Sequence, residues 1–86
     1  MHQQLLEQLQ NVFRKVFEDE KLNIQPLTST NDIKMWDSLT HLELIVSVEN
    51  EFNIKFSFNE VMQFNNVGDM LKIIVKKVNS YMPNEF

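Results

Sequence analysis

The chain has 86 residues, with one Gly, two Pro and no Cys. This length suffices for one small domain, the scarcity of turn residues argues against a sheet of hairpins, and without Cys there is no disulfide, thiolate metal site or thiol nucleophile. The net charge is −4, and residues 37–69 carry six acids but one base, which disfavours nucleic acid and favours a basic protein surface as the partner.

The first predicted element is an amphipathic helix over residues 3–19. Its apolar positions recur every three or four residues, and polar side chains fill the other face: Leu5, Leu6, Leu9, Val12, Phe13, Val16 and Phe17. Residues 20–36 have no clean period, and Pro26 with the polar run 28–30 predicts a long loop. We expect its apolar residues to insert into the core and pin it: Leu22, Ile24, Leu27 and Ile33.

A second helix is predicted over residues 38–52, with Asp37 as its N-cap. This helix has two apolar stripes. The inner stripe comprises His41, Leu44, Ile45, Val48 and Phe52, and the outer stripe comprises Leu39, Leu42 and Val46, with Glu43 and Glu49 beside it. A bundle this small cannot easily bury both stripes, so one is predicted to be exposed or to line an internal pocket.

Two further helices complete the chain. Ser57 and Glu60 have the spacing of a capping box, which predicts a short helix ending near Phe64. Asn66 is predicted to cap a last helix over 67–81, with Asp69 in its first turn and an inner stripe of Val67, Leu71, Ile74, Val78 and Tyr81. We therefore predict an all-α four-helix bundle, with three longer helices and one short one, in residues 1–82, followed by a loose tail at 83–86.

Catalytic and metal sites find little support in the sequence. The two histidines, His2 and His41, are too few for a His-based metal site, so no metal is predicted. Asp37, Ser38 and His41 could suggest nucleophilic hydrolysis, but a triad also needs an oriented base and an oxyanion hole in a cleft. An enzyme is therefore the least favoured class.

Ser38 is the more informative residue. Its hydroxyl follows the cap of the second helix, where a phosphate ester would meet backbone N–H groups and a favourable helix dipole. The simpler interpretation is that serine is common at the start of a helix. The local chemistry alone favours that simpler interpretation.

Three motifs favour a functional role for Ser38 over this simpler interpretation. Residues 37–45 (DSLTHLELI) resemble the D-S-L-x-x-[VIL]-E-[LIV]-[LIV] signature of acyl carrier proteins. Residues 51–56 (EFNIKF) and 66–71 (NVGDML) resemble the family's segments after its second helix and at the start of its last helix. The motifs occur in the family's order and spacing, and the resemblance covers the whole chain. It implies the carrier-protein four-helix fold and a 4′-phosphopantetheine arm on Ser38, attached by a phosphopantetheinyl transferase from coenzyme A.

The resemblance also implies a function. The thiol of the arm would hold an acyl group as a thioester, for presentation to acyl-loading, acyl-modifying and acyl-transferring enzymes. Residues that would face partners are Asp37, Leu39, Leu42, Glu43, Val46 and Glu49. Residues that would line an acyl pocket are Leu44, Val48, Phe52 and Ile74. The chain itself would catalyse no turnover.

Departures from the family pattern bear on the pathway. Thr40, Phe58, Asn59 and Met62 stand where acids are common in fatty-acid carriers. Trp36 before Asp37 resembles stand-alone carriers of specialised pathways, although it could simply pack on the loop. We expect a specialised bacterial pathway. The alternatives are primary fatty-acid synthesis, or a helical interaction module that binds a partner through the outer stripe and never gains the arm.

The predicted cellular location rests on two features that the sequence lacks, a signal-peptide pattern and an apolar run of transmembrane length. Residues 1–15 are polar and contain no apolar segment typical of a signal peptide. No apolar run reaches transmembrane length. The sequence predicts a cytoplasmic monomer that does not insert into membranes.

Overall fold

The computed structural model describes the backbone of residues 2–81 and the side chains of residues 3–78. Four helices form in the order α1 (His2–Val16), α2 (Ser38–Phe52), α3 (Phe58–Met62) and α4 (Val67–Tyr81). In this part of the chain the extended pairing is limited to one isolated bridge between Ser29 and Asn66. The predicted all-α four-helix fold is confirmed, and α2 and α4 have the predicted bounds. The tail at 83–86 and the side chain of Tyr81 lie outside the described residues.

The end of α1 differs from the prediction. The helix stops at Val16 rather than at residue 19, because Glu18 adopts the left-handed conformation with φ of 53°. The N–H of Asp19 then donates to the carbonyl of Arg14 at 3.0 Å, and the N–H of Glu18 donates to that of Lys15 at 3.4 Å. This turn satisfies carbonyls that the end of a helix leaves free.

The core is built from the predicted inner stripes of α1, α2 and α4. Its fully buried side chains are Leu9, Phe13, Leu44, Val48, Val67, Met70 and Ile74. Each such side chain contributes about 1.5–3 kcal/mol when it leaves water. Met70 was not among the predicted core residues. The outer stripe of α2 stays exposed, as the two-stripe pattern allowed.

The long loop is held to the bundle in two ways. Ile24 and Ile33 are buried in the core as predicted. The prediction for Leu27 is wrong, because 83% of its side chain is exposed. Here the backbone makes the attachment instead: the carbonyl of Pro26 accepts the Gly68 N–H at 2.7 Å, and that of Thr28 accepts the Val67 N–H at 2.8 Å.

The predicted caps of α3 and α4 are confirmed. The Ser57 N–H donates to Glu60 Oε1 at 2.8 Å, and the Glu60 N–H donates to Ser57 Oγ at 3.2 Å. The Asp69 N–H donates to Asn66 Oδ1 at 2.8 Å. However, α3 ends at Met62, two residues before the predicted end, and Phe64 turns into the core instead.

Candidate functional site

The start of α2 is fixed by a reciprocal cap. The Asp37 carboxylate accepts the N–H groups of Leu39 and Thr40, both at 3.0 Å. The Thr40 hydroxyl accepts the Asp37 N–H at 2.8 Å and donates to the Met35 carbonyl at 2.6 Å. The hydrogen bond from the Thr40 N–H lowers the pKa of Asp37. Ser38 follows as the first residue of α2, and it is exposed.

This cap corrects the expected setting of Ser38. A phosphate ester on its hydroxyl was expected to meet unpaired backbone N–H groups, but the Asp37 carboxylate already accepts those of Leu39 and Thr40. The cap also explains one departure from the family pattern. An ionised Asp at position 40 could only accept, whereas the Thr40 hydroxyl also donates to Met35.

Trp36 joins the loop, α1 and α2 in one aromatic cluster. Its ring is 5% exposed and lies edge-on to Phe13, with centroids 5.2 Å apart. Its Nε1–H donates to Nδ1 of His41 at 2.9 Å, and the two ring centroids are 6.1 Å apart. His41 in turn lies edge-on to Phe64 at 6.4 Å. Trp36 therefore does more than pack on the loop.

The same contacts argue against nucleophilic hydrolysis. His41 Nδ1 receives a hydrogen from Trp36, whereas a triad base donates from one ring nitrogen to an orienting carboxylate. The Asp37 carboxylate is directed at the backbone of α2. Within the described residues, no cluster of His, Cys, Asp and Glu is suited to hold a metal ion.

A groove of about 640 Å³ opens beside Ser38, between α2 and α3. Its walls are mainly apolar; the lining is Thr30, Trp36, Asp37, Ser38, His41, Leu42, Ile45, Phe58, Val61, Met62 and Phe64. Phe58 and Met62 are 76% and 67% exposed. An exposed primary hydroxyl at an open groove suits a long flexible group joined to it as an ester.

The predicted acyl-pocket residues lie elsewhere. Leu44, Val48 and Ile74 are fully buried in the core, Phe52 is half-buried, and none of the four lines this groove. Sequence reasoning did not assign Val61 or Phe64 to a site, and it named Ile45 only as a member of the inner stripe. The helical spacing of Ser38, His41, Leu42 and Ile45 places these four on one side of α2, and that signal could have found the groove.

The predicted partner face is only partly uniform. Leu39, Leu42 and Val46 are 68%, 60% and 55% exposed, and Glu43 is exposed beside them. Glu49 differs, because it is half-buried and its Oε2 accepts the Phe56 N–H at 2.9 Å. The predicted face thus combines an exposed apolar strip with two different acids. Glu43 is exposed, whereas the carboxylate of Glu49 is bound to the backbone of Phe56.

None of the four helices, over the span that is described, combines the length and apolarity required to cross a bilayer. This finding concerns the helices alone.

The candidate site is assembled at one end of α2, from a capped N-terminus, an aromatic cluster and an open groove.

Comparisons with known proteins agree with this geometry. Residues 7–74 match the family model described as a phosphopantetheine attachment site. An acyl carrier protein from Cyanidium caldarium is 37% identical over 51 residues, which are 59% of this chain and 58% of that protein. The solution NMR structure of a holo acyl carrier protein from Geobacter metallireducens superposes with a TM-score of 0.86 at 40% identity, covering 94% of this chain and 93% of that one. The chain therefore belongs to the acyl carrier protein family, whose prosthetic group is a covalently attached phosphopantetheine.

Proposed function

We propose that Ser38 is the residue that carries 4′-phosphopantetheine, and that the chain presents acyl groups on this arm to partner enzymes. One observation carries the proposal: Ser38 is exposed at the first position of α2, at an open groove, inside the segment that matches the family model. When bound, the arm supplies a terminal thiol that holds an acyl group as a thioester.

The attachment requires little of this chain beyond an accessible hydroxyl. Ser38 Oγ forms a bond to the phosphorus next to pantetheine in coenzyme A, the bond to the adenosine bisphosphate half breaks, and that half leaves. The hydroxyl proton passes to a base on the phosphopantetheinyl transferase. The chain contributes a rigid position for Oγ, because the cap made by Asp37 and Thr40 fixes the first turn of α2.

Partner enzymes would dock on the exposed outer stripe. Leu39, Leu42 and Val46 offer a small apolar centre, and Glu43 offers a negative rim charge. Apolar centres contribute most of the binding energy at such interfaces, while rim charges mainly speed the encounter. We assign this surface to the transferase and to acyl-handling enzymes. The chain acts as a carrier and not as a catalyst.

A specialised pathway is the better match for this surface. Phe58 and Met62 present exposed apolar side chains on α3, at positions where fatty-acid carriers often have acids. Such a surface offers fewer charged contacts to a basic partner. We therefore place the chain in a specialised bacterial biosynthetic pathway rather than in primary fatty-acid synthesis.

Intact-mass spectrometry tests the attachment. The chain is incubated with coenzyme A, Mg²⁺ and a transferase of broad specificity. We expect a gain of one phosphopantetheine, no gain in Ser38→Ala, and an undiminished gain in Ser57→Ala, a matched control at the start of another helix. A well-folded wild type that gains no mass would instead favour the helical interaction module.

The acyl group tests the pathway. The protein is isolated from its host, the thioester is cleaved, and the released acid is identified by mass spectrometry. A polyketide, aminoacyl or otherwise modified acid supports a specialised pathway. A ladder of saturated fatty acids in even steps would contradict it and would assign the chain to primary fatty-acid synthesis.

A further inference from the structure

The hydrogen bond from Trp36 sets the tautomer of His41. Nδ1 accepts the indole N–H at 2.9 Å, so this nitrogen carries no proton. A neutral imidazole with an accepting Nδ1 must have its proton on Nε2. His41 therefore presents one N–H donor, on the side of the ring that faces away from Trp36.

The position of this donor is fixed by packing. The plane of the His41 ring is inclined by 23° to that of Trp36, and the ring lies edge-on to Phe64 with centroids 6.4 Å apart. Trp36 is itself buried, and it lies edge-on to Phe13. A side chain held by buried neighbours loses little freedom when it binds, so the Nε2–H is a preorganised donor.

The ring also lies on the same side of the molecule as Ser38. Helical side chains point back over the preceding turn, and Ser38 is three residues before His41. The bond to Trp36, five residues before His41, shows that the ring is directed toward the N-terminal end of α2. Ser38 and His41 line the same groove. No hydrogen bond from Nε2 to another residue is present in the described part of the chain.

A phosphodiester on Ser38 would gain from such a donor. It carries a negative charge, and it would lie next to the Asp37 carboxylate. The N–H groups of Leu39 and Thr40, which would otherwise serve an anion, are taken by that carboxylate. An ionised acceptor gains more from a fixed donor than a neutral one does.

We propose that the Nε2–H of His41 donates to a phosphate oxygen of the group attached at Ser38, and that Trp36 is the positioning residue that sets the tautomer. This inference rests on the attachment proposed above. The bond would hold the first atoms of the arm at the mouth of the groove between α2 and α3. The arm would then leave the protein surface from a fixed point.

NMR spectroscopy of the apo and holo forms tests the inference, after intact mass has shown that the arm is attached. We expect the ¹⁵N resonance of His41 Nε2 to shift on attachment while Nδ1 keeps the shift of an acceptor. Nuclear Overhauser contacts should join the His41 ring to the first methylene protons of the arm. The ³¹P resonance should move in His41→Phe and return toward its wild-type position in His41→Gln, which supplies a donor.

Two more variants separate the roles. Trp36→Phe keeps an aromatic ring but removes the indole N–H, so the contacts between His41 and the arm should be lost although the arm is present. Asn50→Ala, at an exposed position of α2 that does not line the groove, should change nothing. If the arm is attached but the Nε2 resonance, the contacts and the ³¹P resonance stay unchanged, the inference is overturned while the attachment stands. Failure of the attachment itself would refute the proposed function. Should a variant not fold, the apo and holo spectra of the wild type decide alone.

Discussion

Gly68 donates its backbone N–H to the carbonyl oxygen of Pro26 at 2.7 Å, and this bond ties the long loop to the first turn of α4. A Cβ at position 68 would lie 3.0 Å from that same oxygen and 3.3 Å from Oδ1 of Asn66, the residue that caps α4. The close approach of two backbone segments therefore favours glycine here, and a positive φ does not, because Gly68 has none.

Gly68→Ala tests this contact. Alanine favours the helix by up to about 1 kcal/mol, but displacing a packed backbone segment costs about 1–3 kcal/mol. We expect a net loss of about 1 kcal/mol in the free energy of unfolding, measured by urea denaturation. Lys72→Ala, an exposed site on the same helix, is the control and should stay within about 0.5 kcal/mol of the wild type. A gain in Gly68→Ala would show that the loop has room to retreat.

Local patterns in the sequence predicted the helices well, because caps and apolar periods act over three or four residues. Asp37, Ser57 and Asn66 all cap as their spacing indicated. What the sequence did not reveal depends on tertiary contact. Leu27 is exposed because the backbone on either side of it binds α4, and no apolar pattern encodes such a bond.

The candidate site also combines features that local sequence patterns predict with features that depend on tertiary contacts. The exposure of the outer stripe of α2 was predictable, because a bundle this small cannot easily bury both apolar stripes of the helix. The bond between Trp36 and His41 could not be foreseen, because it joins a loop residue to a helix five positions later and needs Phe13 and Phe64 to fix both rings. The half-buried carboxylate of Glu49 likewise depends on where the chain turns after α2.

Glu18→Gly is expected to stabilise the protein. Glu18 ends α1 in the left-handed region, at a cost of about 1–2 kcal/mol for a residue with a Cβ. Glycine avoids this cost but loses about 0.5–1 kcal/mol more through backbone entropy. We expect a net gain of about 0.5–1 kcal/mol in urea denaturation.

Asn53→Gly is the matched comparison, since Asn53 caps α2 with φ of 56°. Asn tolerates this conformation better than Glu does, so its gain should be smaller. Glu20→Gly, at a position without positive φ, should give no gain. A loss of stability in Glu18→Gly would mean that the Glu18 side chain makes a contribution larger than its backbone strain.

Stability should fall in acid through two capping carboxylates. The Thr40 N–H lowers the pKa of Asp37, and the Ser57 N–H lowers that of Glu60. A carboxylate whose pKa is lower in the folded state stabilises that state fully above its unfolded pKa, and this contribution disappears as pH falls through the folded value. Because the ordinary values are about 4, we expect little change down to about pH 5 and a decline below it.

Asp37→Asn and Glu60→Gln isolate these contributions. Both variants should be less stable than the wild type at pH 7 in urea denaturation. Both differences in the free energy of unfolding should narrow progressively as the pH falls below about 4, because the wild-type carboxyls become protonated over that range. Gaps of constant size across this range would show that the two charges do not contribute to the acid response.

Glu43 and Glu49 lie six residues apart on α2 and should respond differently to the same change. Glu43 is exposed beside the outer stripe, so Glu43→Lys should leave the urea midpoint unchanged and slow association with the transferase. Glu49 accepts the Phe56 N–H, so Glu49→Lys should lower the free energy of unfolding by about 1 kcal/mol. Stopped-flow association and urea denaturation of both variants measure the two effects.

Salt dependence decides whether Glu43 acts through its charge. The Debye length falls from about 30 Å at 0.01 M salt to about 8 Å at 0.15 M, so steering by an exposed charge should weaken over this range. The association rate of Glu43→Lys should therefore differ most from the wild type at low salt and approach it at high salt. An equal deficit at both concentrations would mean that the Glu43 side chain contributes through packing. In that case the apolar strip, rather than the acid, would set the encounter rate.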